Sequence, residues 1–143
     1  AKIIHCFRNP LDNILSIYRA NFTRDNEFSS SLRDCTKIYL DQEEIMSNYK
    51  NRFRSKIYDL NYDSLVSNSN KEIKSLISWL DWKWEDSYLS PHLNKRSVLT
   101  ASSVQVRSPI NFKSIGGWKN YKDMLQPAIE ILTQTERYRN LVL

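Results

Sequence analysis

Two short apolar, β-prone runs, "KIIHCF" (2–7) and "KIYDLNY" (56–62), are separated by two stretches of helical periodicity, and this spacing restricts the fold more than any other feature. Neighbouring antiparallel strands can be joined by a tight turn, whereas a long helical connection points to a right-handed crossover between parallel strands. The expected class is therefore α/β. Two strands alone make no stable open sheet. The chain also starts with Ala1 in an apolar run without an initiator methionine, so the reading expects half of an α/β domain, with the remaining strands upstream.

The crossover itself reads clearly. Asn9 can cap the first helix, Pro10 suits its first turn, and Asp12 lies three residues after the cap. Leu11, Ile14, Leu15, Tyr18 and Phe22 then recur at helical spacing, while "TRDNEFSSS" (23–31) is a polar loop. Ser31 and Asp34 form a capping pattern for a helix over 32–52, with an apolar stripe of Leu32, Cys35, Ile38, Tyr39, Ile45, Met46 and Tyr49. After the second strand, Ser69 and Glu72 cap a helix over 70–81 that carries Ile73, Leu76, Ile77 and Leu80. "LDWKWEDSYL" (80–89) is a tryptophan-rich turn with a short helix. Residues 90–113 lack periodicity and contain Pro91 and Pro109, and an ordered loop of that length usually serves function. Terminal helices are expected over 120–135, broken at Pro127, with 137–143 as a tail.

Composition removes several classes. With 143 residues, 41% hydrophobic and 12% aromatic, the chain can bury a core. No apolar run approaches the roughly 20 residues of a membrane span, and no secretory core segment occurs. Cys6 and Cys35 form no CxxC pair and read as small core hydrophobes of a reducing compartment, so a cytoplasmic location is expected. The only glycines are Gly116 and Gly117, which excludes a glycine-rich phosphate cradle within the chain. His5 and His92 have no cysteine partners at metal spacing, so no metal is expected. Asn21-Phe22-Thr23 is a formal sequon at a helix end. Trp79, Trp82, Trp84 and Trp118 read as core and helix–loop packing.

A net charge of +5 favours anionic partners. "KNRFRSK" (50–56), the densest basic run, reads as a solvated helix end. In open α/β sheets, ligands bind beyond the carboxyl ends of the strands. Arg8 leaves the first strand there, just before a helix N-terminus whose N–H groups favour an anion. Ser16, on the polar side of that helix with Asp12 and Arg19, could donate its hydroxyl to the same anion. Equally, Arg8 could pair with Asp12 while Ser16 is merely exposed. Tyr62, after the second strand, could stack on a base or serve as a rim tyrosine. "TASSVQVRSP" (100–109) could close over a phosphate-rich ligand or simply cross the surface.

Together these segments resemble the PAPS-dependent sulfotransferases, in particular the bacterial branch related to tyrosylprotein sulfotransferases, which often carries tetratricopeptide repeats upstream. "HCFRNPLDNILSIYRANF" resembles the family's 3′-phosphate-binding strand–helix (2–22), with Arg8 and Ser16 at the positions that hold the 3′-phosphate. "NYDSLVSN" resembles its Y-E-D-L-V segment and puts Tyr62 against the adenine. "RSVLTASSVQVRSPINFKSIGGWKNY" resembles the cofactor-covering loop (96–118), with Ser102, Ser103, Gln105 and Arg107 around the nucleotide.

The resemblance implies a P-loop-NTPase-like parallel sheet flanked by helices, with 1–143 as the C-terminal part of a single sulfotransferase domain. The 5′-phosphosulfate loop and the general base would lie upstream of Ala1. The donor would be PAPS, leaving PAP, and the acceptor a hydroxyl or amine of open class, with no nucleic-acid partner. Two departures stand out: Asp63 is one carbon shorter than the family's acid, and Gly117 replaces an often basic residue before Trp118, with Lys119 beyond it. Other readings are a non-catalytic phosphate- or RNA-binding module, a P-loop kinase, or a degenerate sulfotransferase fragment. The RNA reading requires aromatics interleaved with Lys and Arg on one exposed face, whereas these aromatics follow apolar helix stripes.

Overall fold

The computed structural model describes residues 1–20, 27–99 and 104–141, and their contacts divide them into two compact units. The first comprises Ala1–Phe7 and Ser55–Lys113, and the second Arg8–Arg54 and Ser114–Leu143.

The first unit is built on two parallel strands, β1 (Ile3–Phe7) and β2 (Ile57–Asn61), paired from Ile3 with Ile57 to Phe7 with Asn61. Two helices follow, α3 (Tyr62–Ser67) and α4 (Ser69–Leu80). The α3 helix was not expected: the strand expected over 56–62 includes Tyr62, and no helix is expected before residue 70. Asn61 stops the strand by capping α3, its side chain accepting from the Ser64 amide at 3.1 Å. Tyr62 is therefore the first residue of a helix. The expected Ser69–Glu72 cap also moves: Asn68 ends α3 and begins α4, without a side-chain capping bond. At the far end of α4, Asp81 takes a left-handed conformation (φ 61°), and its amide closes on Ile77 and Ser78.

β1 departs from its reading as a buried strand. His5 is buried, while Ile3, Ile4 and Cys6 are exposed. α3 and α4 pack on β2, and β1 draws its cover mainly from β2 itself. Cys6 is thus not a core residue. Across the pair, His5 and Asp59 are register partners, with Nδ1 and Oδ1 3.2 Å apart. Trp79 packs on Tyr58 with ring centroids 5.3 Å apart, and Lys2 lies over the Trp79 ring. Trp82, expected in packing, is 59% exposed because it follows the C-cap turn and leaves the helix surface.

The second unit is helical: α1 (Pro10–Ala20), α2 (Leu32–Phe53) and α5 (Gln126–Gln134) enclose its core. Leu11, Ile14, Leu15, Cys35, Tyr39, Trp118, Leu125, Ala128, Ile129 and Leu132 form one buried cluster. Ser31 caps α2 as its sequence indicates, accepting from the Asp34 amide at 3.3 Å. The α2 stripe is only half realised. Cys35 and Tyr39 are buried with Thr36 and Glu43, while Ile38, Ile45 and Tyr49 face outward. Contacts to α1 and α5 select the 36–39–43 face, and the polar side chains there are satisfied internally.

Glu43 is tolerated because Arg137 lies 2.8 Å from its Oε2 and the Tyr138 hydroxyl donates to it at 3.3 Å. Tyr39 and Tyr138 also share a hydroxyl–hydroxyl bond of 2.9 Å. Residues 136–138 form a 3-10 turn packed against α2, so the segment read as a tail belongs to this unit. Pro127 opens α5 at its first turn, where its missing N–H costs nothing.

Candidate functional site

The turn between β1 and α1 carries the most chemistry. The Asn9 side chain accepts from the Leu11 amide at 2.9 Å and the Asp12 amide at 3.3 Å, which fixes the first turn of α1. Arg8 is half-buried, and its Nη2 donates to the main-chain carbonyl of Asp12 at 2.8 Å. The expected alternative of an Arg8–Asp12 ion pair is thus corrected in kind, since the contact is to a neutral carbonyl. The Asp12 carboxylate is engaged elsewhere. Its Oδ2 accepts from the Gly116 amide at 2.7 Å and its Oδ1 from the Trp118 amide at 2.9 Å. Asp12 is only 4% exposed, contrary to its reading as part of the polar face. Ser16 follows one turn later and is exposed, as that reading expected.

The glycine doublet now has a local reason. Gly116 sits at φ +68°, a left-handed conformation that side chains resist, and it leads into the 3-10 turn Gly117–Tyr121. The Lys119 stem lies over Gly116, and Arg19 stands 5.9 Å from the Tyr121 ring centroid. A side chain at position 117 would find ordinary contact, its Cβ 3.7 Å from Asp12 Oδ1.

The other sequence-derived candidates belong to the first unit or fall outside the described residues. Tyr62 is half-buried at the start of α3, next to Asn61, which is level with Phe7. Gln105 and Arg107 are exposed in a 3-10 turn, Gln105–Arg107. Arg107 donates through Nη1 to the Asn94 carbonyl and through Nη2 to the Arg96 carbonyl, the latter at 2.6 Å, pinning this turn to 94–96. Ser102 and Ser103 lie outside the described residues, as do Phe22 and the sequon at Asn21 and Thr23. Among the described residues, no cluster of His, Cys, Asp or Glu could hold a metal ion, and no helix is long and apolar enough to cross a membrane.

Sequence reasoning missed Asp12 as a clamp and Glu43 as a buried partner. Asp12 sits where a first-turn acid normally serves the helix dipole, which hid its tertiary role. The only available signal was the lone glycine doublet beside Trp118. Electrostatics in this unit follow burial. Desolvation, reinforced by the neighbouring Tyr138, pushes the Tyr39 phenol well above its ordinary range, and burial also raises Tyr138. The Cys35 thiol is raised for the same main reason.

An arginine directly before a helix N-terminus is a common arrangement for holding an anion. The profile of the sulfotransferase family matches residues 1–86, more than half of the chain, and the chain belongs to that family. It is 36% identical over 137 residues to an uncharacterized protein of Aquifex aeolicus (strain VF5), an alignment covering 94% of this chain and 18% of that protein. The chain therefore spans less than a fifth of the length of that relative.

Proposed function

We propose that this chain grips the nucleotide of a PAPS-dependent sulfotransferase, in the C-terminal half of a P-loop-like domain. Arg8 and Ser16 would hold the 3′-phosphate, Tyr62 would pack against the adenine, and Ser102, Ser103, Gln105 and Arg107 would line the covering loop. The observation that carries this reading is the turn at Arg8, where a guanidinium is held against the first turn of a capped helix. The helix dipole and the guanidinium together suit a dianionic phosphate. Arg107 already pins the 94–96 backbone, so its part would be to shape the loop.

The complete enzyme would transfer a sulfuryl group in line from PAPS to a hydroxyl or amine acceptor, leaving PAP. By analogy with phosphoryl transfer, rate would come from positioning and charge stabilisation. The residues that hold the 5′-phosphosulfate and take the acceptor proton are assigned to sequence upstream of Ala1, a position compatible with tetratricopeptide repeats further upstream. The 143 residues alone would then bind PAP weakly and transfer nothing. Gly117 motivates a second reading, a relative that has lost part of its cofactor grip.

Calorimetry with PAP tests the assignment. The complete protein should bind PAP, and Arg8→Ala should abolish binding while far-UV circular dichroism and the urea midpoint stay near wild type. Loss of folding in Arg8→Ala would return Arg8 to a structural role. Sulfation catalysed by the 143 residues alone would refute the division of labour.

A further inference from the structure

The Asp12 clamp joins two segments separated by 104 residues, and it does so with a buried charge. A carboxylate enclosed in protein needs hydrogen-bond donors aimed at it. Here both come from one turn, the amides of Gly116 and Trp118. The side of the clamp on α1 is rigid: Asn9 caps the first turn, and Leu11 beside Asp12 is fully buried. The other side is equally held, because the Trp118 ring is 3% exposed in the helical core. Left-handed Gly116 opens the turn that presents the Gly116 and Trp118 amides to one carboxylate.

Asp12 also acts through its own main chain. Its carbonyl accepts from Arg8 Nη2 at 2.8 Å, so a single residue contacts both the arginine at the strand exit and the turn bearing Lys119. A displacement of Asp12 would therefore move both.

We infer that Asp12 is a positioning residue of the anion site: it touches no ligand, but it fixes Arg8 and the Gly116–Lys119 turn relative to each other. Lys119, its stem folded over Gly116, is thereby set as the cation that stands in for the absent side chain at position 117. This inference rests on the cofactor reading proposed above.

The complete protein is compared with Asp12→Asn and Asp12→Ala by calorimetry with PAP and by amide hydrogen exchange at Gly116 and Trp118. In the wild type both amides should be protected, and in Asp12→Asn they should exchange at least about tenfold faster while α5 amides are unchanged. The PAP dissociation constant should rise about tenfold or more in Asp12→Asn, the scale of one lost charge-assisted hydrogen bond, with the number of sites per chain unchanged. Asp12→Asn serves where Asp12→Ala fails to fold. Lys119→Ala should weaken PAP binding without altering the exchange of either amide.

A drop in site number at constant affinity would make Asp12 purely structural and overturn the inference, and so would unaltered amide exchange in Asp12→Asn. A wild type that protects both amides yet binds no PAP would instead overturn the cofactor reading, and the positioning role with it.

Discussion

The two units of this chain use apolar residues in opposite ways. The helical unit encloses one continuous cluster, from Leu11 on α1 through Cys35 on α2 to Leu132 on α5. The strand unit buries Ile57, Leu60, Val66 and Ile77 but leaves Ile3, Ile4, Trp82 and Leu93 exposed. The difference lies in what each element meets. An amphipathic helix buries its stripe on two neighbouring helices, whereas among the described residues β1 pairs with β2 alone. Apolar residues therefore gather into one core in the helical unit, whereas in the strand unit several of them remain exposed surface.

That contrast is most open to attack in the cores. Leu132→Ala, at a fully buried position, should cost about 2–5 kcal/mol in urea unfolding. Ile3→Ala, at a position 50% exposed, should cost below about 1 kcal/mol. Equal losses would show that β1 carries as much of the core as α5, and the comparison would fail.

A pH series sharpens it further. Tyr39 and Tyr138 belong to the helical unit, and burial raises both phenols, so the folded state holds their protons more tightly than the unfolded chain. Their contribution is complete below the ordinary tyrosine value near ~10 and is lost as pH rises above it. The wild-type urea midpoint should thus fall as pH rises above about 10, and Tyr39→Phe should flatten that fall. An identical slope in the variant would remove Tyr39 from the account.

The smallest effect concerns the glycine doublet. Gly116→Ala must place a side chain at φ +68° and should destabilise by about 1 kcal/mol. Gly117→Ala meets only ordinary contacts and should stay within about 0.5 kcal/mol. Melting of the paired variants checks this, and equal costs would mean that the Asp12 clamp tolerates other turn geometries.

Much of the architecture is legible in the sequence itself. Asn9 and Ser31 cap the helices they were expected to cap, and the strands pair in parallel across the expected crossover. The errors lie where short-range pattern is silent. Tyr62, which opens a six-residue helix, looks like the end of the strand before it, and Cys6 looks like core until the covering of β1 is known. On α2, the apolar stripe predicted burial of Ile38 and Ile45, but Thr36 and Glu43 took those places. Arg137 and Tyr138 made the burial of Glu43 possible, and no local window contains them.

The candidate site divides in the same manner. The turn that carries Arg8 and the helix face that carries Ser16 were legible because a strand exit, a cap and a helix face are local patterns. Sequence alone determined the caps at Asn9 and Ser31, the parallel crossover and the likeness to sulfotransferases, since each depends on residues close together in the chain or on their order. Only the tertiary structure decided that the carboxylate of Asp12 faces Gly116 and Trp118 instead of Arg8. A hydrogen bond that closes a loop of 104 residues leaves no periodic trace in the chain that makes it.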